Sequence, residues 1–480
     1  MGGFDLVVRG GRVFGPGDWG EIDVGVRGGL VVALGNLGAS GAAKVVDARG
    51  LVVLPGLIDP HVHISLPLAD GTATCDDFFT GTVAAARGGI TTVIDFAEPR
   101  PGQSPGAALA ERMAQAEGRA VVDYLFSVTL SSADPDALAE VPLLVQRGVR
   151  SFKLYMVYPG LGLDDRSLLA CLDAIGQAGA LATVHAESAA IVESQTARLQ
   201  AAGHLEAVWF PHSRPTVAEA EAVCRVLTLA GLAGAHVCIR HLSSGAGLAA
   251  VAAAREALMR AAPARGASPG AGGHCISEVW VETAPHYLAL DESVYGRRDG
   301  HRFIASPPLR KKEDQDALWR GIATGEVHFL GTDHCALSAG QKDRARDFLH
   351  VPGGLPGFET ILPLTYTLGV HSGRIPLSRL VEITSTAAAR AFGLYPRKGN
   401  LLPGADADLV LVDPKVTRRV EVGAEGLAAV LGWSPYEGWE LKGWPRIVIS
   451  RGEVVLEEGE FCGGAGRGLY VGVRASGAAT

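Results

Sequence analysis

Val52-Val53-Leu54-Pro55-Gly56-Leu57-Ile58-Asp59-Pro60-His61-Val62-His63 is an apolar, β-branched run that ends on two histidines. Side chains alternate faces along a strand, so His61 and His63 share a face and can grip one ion together. Four later segments repeat the arrangement, delivering Lys153, His185, His241 and Asp333 at or just past the end of an apolar run. Ligands scattered through the sequence, each at a strand end, are what a barrel enzyme with a metal centre on one rim needs.

Working outward from that run, the middle of the chain alternates strand and helix. The candidate strands are 52–61, Thr91 to Phe96, Asp123 to Leu130, Val149 to Met156, Leu181 to Glu187, His236 to Leu242, Val279 to Leu288 and Val327 to Thr332. Amphipathic alanine- and leucine-rich runs separate them, among them Asp164 to Gly179, Val217 to Ala233, Gly247 to Ala262 and Lys312 to Thr324, with Leu377 to Leu394 as the last helix. Eight strand–helix units predict an α/β fold, a (β/α)8 TIM-like barrel over residues 52–395, with its chemistry at the C-terminal strand ends. Residues 1–51 and 396–462 read differently: short β-patterned runs broken by glycine and aspartate, such as Asp408-Leu409-Val410-Leu411-Val412-Asp413. They predict a small β-sandwich built from both chain ends. Pro263 to Gly273 reads as a mobile surface loop. The glycine-rich tail, 463–480, reads either as disordered or as packing on a neighbouring subunit.

Composition narrows the function. The 480 residues are 48% hydrophobic, enough for a sizeable core, and the net charge of -8 carries no basic stripe for a nucleic-acid partner. No apolar stretch is long enough to span a bilayer, and the N-terminus lacks a basic-then-apolar leader. Seven cysteines, at 75, 171, 224, 238, 275, 335 and 462, form no C-x-x-C pair and read as reduced thiols. The expectation is a cytoplasmic enzyme acting on a small molecule, with neither nucleic acid nor membrane as partner.

Four histidines and one aspartate exceed what a single tetrahedral site takes, and the donor set suits borderline divalent ions such as zinc. Lys153 stands apart. As an ammonium it cannot bind a cation and would belong to a salt bridge. Made neutral by burial, it can react with carbon dioxide to give a carbamate, an oxygen donor able to bridge two ions.

With these residues in place the chain resembles the cyclic amidohydrolases of the amidohydrolase superfamily, most closely dihydropyrimidinases and hydantoinases. The resemblance runs in order through P-G-L-I-D-P-H-V-H at 55–63, D-D-F-F-T-G-T at 76–82, G-G-I-T-T-V-I-D-F at 88–96, S-F-K-L-Y-M-V-Y at 151–158 and H-A-E at 185–187. It continues with H-L-S-S at 241–244, S-P-P-L-R-K-K at 306–312, Q-D-A-L-W at 315–319, G-T-D-H-C at 331–335 and Q-K at 341–342. It implies that His61, His63 and Asp333 hold one metal, that His185 and His241 hold a second, and that Lys153, as N6-carboxylysine, bridges them. It further implies Tyr158 as the oxyanion donor and Ser306 and Gly353 as main-chain contacts to the substrate. The metals implied are two divalent ions, Zn2+ by default with Mn2+ and Co2+ as alternatives, in a homotetramer or homodimer. The expected reaction is attack of a bridging hydroxide on a cyclic amide, with Asp333 moving the proton, to give an N-carbamoyl amino acid.

Three departures bear on the substrate. His185-Ala186-Glu187 continues Ser188-Ala189-Ala190 where the family usually has N-G-D, Gly353 stands where it usually has asparagine, and His286 stands where glutamine is more usual. The segment around His286 partly resembles allantoinases and dihydroorotases. Ser65 argues against the latter, which place an arginine there to hold the substrate carboxylate. Leu66, Pro67 and Leu68 are candidates to line a pocket for a ring substituent. Non-catalytic scaffold relatives of dihydropyrimidinases lack the full ligand set, whereas this chain keeps all six positions.

Overall fold

A computed structural model describes residues 3–15, 17–38, 41–68, 71–261, 278–423 and 430–472. The loop expected at 263–273 lies outside the described residues, as does Cys275.

Leu57–His63, Ile90–Ala97, Asp123–Thr129, Ser151–Tyr155, Leu181–His185, His236–Ile239 and Val279–Thr283 pair side by side in chain order, every pair parallel. The eighth position is split. Phe329–Leu330 pairs with the seventh strand, while His334–Cys335 pairs with the first and so closes the ring. Across the gap the buried Asp59 carboxylate stands in for the missing ladder, accepting from the Thr332 N–H at 3.0 Å, the Thr332 hydroxyl at 2.5 Å and the His61 N–H at 3.2 Å. Burial still lifts this carboxyl to about 7.

Helices cover the barrel as the amphipathic periods predict. Asp165–Gln177 is typical: Asp164 caps it by accepting from the Ser167 N–H at 2.7 Å, and Leu168, Cys171, Leu172 and Ile175 fall on its buried stripe. The run Leu377 to Leu394 is helical but not uniform, with a wider π turn at Glu382–Thr386 between two α segments. The seventh strand is shorter than expected. It stops at Thr283, because Pro285 sits at the first turn of a short helix, Pro285–Ala289.

The opening run also divides. Val52–Pro55 belongs to the flanking sheet, antiparallel to Leu409–Val412, and only Leu57–His63 enters the barrel. Gly56 makes the change of sheet: a Cβ there would meet the Thr91 side chain at 2.1 Å. The flanking sheet has nine strands drawn from both ends of the chain and encloses its own core of Leu6, Val8, Val24, Val53, Leu409 and Ile449. It branches at Phe4–Phe14, which carries Asp18–Arg27 on one side and both Ala42–Asp47 and Val52–Pro55 on the other.

Residues 463–472 differ from what composition suggested. They lie on the barrel of their own chain, where Tyr124 donates its N–H to the Leu469 carbonyl and the Val471 N–H bonds back to the Tyr124 carbonyl, both at 3.0 Å.

Candidate active site

The strand ends bring the expected residues together. His61, His63, Lys153, Tyr158, His185, His241, Ser306, Asp333 and Gly353 all line one cavity of about 280 Å3, joined by Leu66, Tyr155, Cys335 and Gly354. His61 and His63 each place Nε2 at 3.1 Å from the same Asp333 oxygen, Oδ1. The rings of His185 and His241 lie 4.5 Å apart, and those of His61 and His241 5.3 Å.

Buried carboxylates fix which histidine nitrogens face the site. His61 Nδ1 lies 2.6 Å from Glu282, and His185 Nε2 lies 2.6 Å from Glu187. Each carboxylate holds the proton-bearing nitrogen, leaving the other nitrogen as a lone-pair donor. Both are themselves neutralised: Arg240 pairs with Glu282 and Arg214 with Glu187. Burial would raise the two carboxyls, but these partners hold both near 2. Burial also lowers the imidazoles, His61 to about 4 and His241 well below its usual value. Neutral rings are what a cation requires.

Lys153 is 1% exposed and forms no ion pair among the described residues. Burial, with Arg240 nearby, lowers its ammonium to about 7. The salt-bridge alternative therefore has no partner here. His241 Nδ1 is buried and has no hydrogen-bond partner. With two imidazoles converging on one carboxylate oxygen and an orphaned imidazole nitrogen beside an unpaired lysine, the donor set fits divalent cations.

Three site residues carry left-handed backbone that side chains rarely adopt: Tyr158 at φ 87°, His241 at 38° and Asp333 at 51°. Such strain persists only where the surroundings enforce it, and it gathers at functional positions. Tyr158 is half-buried, and desolvation pushes its phenol up to about 12 against the pull of Arg214. Gly353 has open space where a Cβ would stand, so the asparagine of relatives would fit. His286 is buried near the rim with Nε2 unpartnered, but it is not among the lining residues.

The chain matches the amidohydrolase family over residues 52–455. A D-phenylhydantoinase from Escherichia coli O1:K1 / APEC is 38% identical over 474 residues, covering 97% of each chain. The chain belongs to the amidohydrolase family, in its hydantoinase and dihydropyrimidinase group. Among solved structures, the dihydropyrimidinase from Brevibacillus agri superposes with a TM-score of 0.90 at 37% identity, covering 97% of this chain and 98% of that one. D-Hydantoinase from a Bacillus sp. AR9 gives 0.89 at 38% identity with the same coverage. This amidohydrolase is a hydrolase acting on cyclic amides, and its family implies divalent metals. Among the described residues no helix is long and apolar enough to cross a membrane.

Sequence reading missed the supporting groups Glu282, Glu187, Arg214, Arg240 and Asp59. A signal was present. Asp59 stands two residues before the candidate ligand His61 on the same strand, Glu187 stands two residues beyond the candidate ligand His185 just past its strand end, and Glu282 lies near the end of the seventh strand.

Proposed function

We propose that this amidohydrolase opens neutral cyclic ureides, hydantoins and dihydropyrimidines, to N-carbamoyl amino acids at a binuclear metal centre. His61, His63 and Asp333 would hold one ion, His185 and His241 the other, with carboxylated Lys153 between them. Bound there, two divalent cations, zinc by preference, supply a hydroxide nucleophile at neutral pH and polarise the scissile carbonyl. Tyr158, with its phenol pushed up to about 12, stays protonated and donates its hydroxyl to the oxyanion that develops. Asp333 is held well below the usual carboxylate range by His61 and His63 in spite of its burial. It therefore begins as a base, takes the proton released on attack, and returns it to the departing ring nitrogen. Ser306 and Gly353, both in the cavity wall, orient the ureide through their main chains.

Substrate charge follows from the lining. Apart from Lys153, no lysine or arginine is among the residues lining the cavity, and Ser65 stands in place of a carboxylate-binding arginine. A neutral ring loses little on entering; an anionic ring would leave a desolvated carboxylate unpaired. The same reading has the enzyme act in the cytoplasm as a homotetramer.

The observation that carries this function is Lys153, buried without an ion pair among the described residues in one cavity with four histidines and an aspartate. Metal analysis and turnover of Lys153→Ala test it. The variant is expected to lose most bound metal and activity, and short carboxylic acids added in solution are expected to restore part of both by filling the space of the carbamate. Two retained metals with near-normal unaided turnover would make Lys153 a structural residue.

A further inference from the structure

Arg214 lies outside the lining of the cavity, between the short helix Phe210–Ser213 and the long helix Thr216–Ala233. Its side chain is only 11% exposed and touches two parts of the site at once. One guanidinium nitrogen donates to Glu187 Oε2, the oxygen that also bonds His185 Nε2 at 2.6 Å. The guanidinium carbon stands 5.2 Å from the centroid of the Tyr158 ring. His185 also packs against that ring, edge-on, with centroids 5.0 Å apart. Arg214 is held in turn, because Arg310 donates to its carbonyl and to the Ser243 hydroxyl.

Tyr158 needs such support. Its backbone is left-handed at φ 87°, and the chain continues as Pro159-Gly160, so the local sequence does little to fix the ring. Of the contacts around it, the guanidinium is the one that is both charged and anchored to a metal-ligand partner.

We propose that Arg214 is the positioning residue of the oxyanion donor. It fixes the Tyr158 ring by its face, in register with His185, through a shared grip on Glu187. A cation over the ring also favours the negative charge that builds on the phenol oxygen as it donates, so the contact strengthens toward the transition state. Arginine suits the place because its planar fork can stack and donate together, which a lysine ammonium cannot do equally well. The inference rests on Tyr158 acting as the oxyanion donor.

A double-mutant cycle separates the two ideas. Hydantoin turnover and metal content are measured for the zinc-loaded wild type, Arg214→Gln, Arg214→Lys, Tyr158→Phe and Tyr158→Phe/Arg214→Gln. Tyr158→Phe is expected to lower kcat about a hundredfold, the usual effect of losing an oxyanion donor. Arg214→Gln, whose amide can still donate to Glu187, is expected to keep both metals and a KM within about twofold while kcat falls about tenfold, and Arg214→Lys to recover part of that loss. In the Tyr158→Phe background the glutamine should cost less than about twofold, because the two residues act as a unit. An equal loss in both backgrounds overturns the proposal, and so does loss of metal from both Arg214 variants, which would mean action through His185. Unchanged kcat in Tyr158→Phe would instead overturn the donor role of Tyr158 on which it rests.

Discussion

Glu282 shows how a single side chain sets the chemistry of its neighbours. It accepts a hydrogen bond from His61 Nδ1 at 2.6 Å, accepts the His241 main-chain N–H at 3.1 Å and pairs with Arg240, so it orients one candidate ligand, anchors the strand end that carries another and stays ionised while fully buried. Glu282→Gln keeps the shape but weakens the hold on the His61 tautomer. The expected outcome is metal retention weakened by about 10- to 100-fold, read by chelator competition, with little change in melting temperature. Unaltered metal affinity would reduce Glu282 to a plain partner of Arg240. The candidate ligands were legible in the sequence because each stands at or just past the end of an apolar strand-like run. Their partners were harder to see, since Glu282 meets His61 only after the barrel closes and no local spacing records a contact over 221 residues. The left-handed backbone of Tyr158, His241 and Asp333 left no trace either, because none of these residue types favours φ above zero strongly enough to be read as such.

The eighth strand is the element on which the geometry turns. Its ladder breaks at Gly331-Thr332-Asp333, and the break lets Asp333 swing to the first strand while Thr332 bonds Asp59. Gly331 permits the approach: a Cβ there would meet His61 Cβ at 2.7 Å and the Glu282 carboxyl carbon at 2.9 Å. Gly331→Ala is expected to destabilise the fold by about 1–3 kcal/mol, as overpacking does, and to lower bound metal because the displaced atoms belong to His61 and its partner. Thermal melting and metal analysis of the variant check both, and wild-type values in the two would show that the strand has slack. Helix positions were readable from amphipathic period and caps, as in Asp164 followed by the buried stripe of Asp165–Gln177. The strand breaks were not. Val52 to His63 reads as one continuous apolar run, and only its pairing with Leu409–Val412 on one side of Gly56 and Ile90–Ala97 on the other reveals that it serves two sheets.

Barrel, flanking sheet and tail are joined by charge in an apolar setting. Lys398, 1% exposed, reaches Asp123 on the third barrel strand at 2.8 Å and Asp406 and Asp408 beside the flanking sheet at 3.0 and 2.7 Å. Arg451 adds a bond to Asp123 at 3.1 Å, and the Leu469 N–H of the tail donates to the same carboxylate at 3.0 Å. The three aspartates could be mistaken for a metal site, but the lysine already occupies their centre. Lys398→Met leaves them buried without it, and the expected loss is about 3–5 kcal/mol, read as a lowered denaturation midpoint. A midpoint within error of wild type would show that Arg451, together with Arg397 at 3.0 Å from Asp406, suffices. The architecture of the whole was readable from strand–helix arithmetic. The course of the tail was not, because a glycine-rich segment carries no period and its place depends on backbone bonds to Tyr124.

The proposed binuclear site would accept neutral rings and exclude anionic ones. Its most direct test is the kcat/KM of the zinc-loaded protein for hydantoin and dihydrouracil against dihydroorotate, with the N-carbamoyl product identified in each case. The prediction is at least about a hundredfold preference for the neutral rings, equivalent to about 2.7 kcal/mol of transition-state binding. Equal or greater efficiency on dihydroorotate would contradict it.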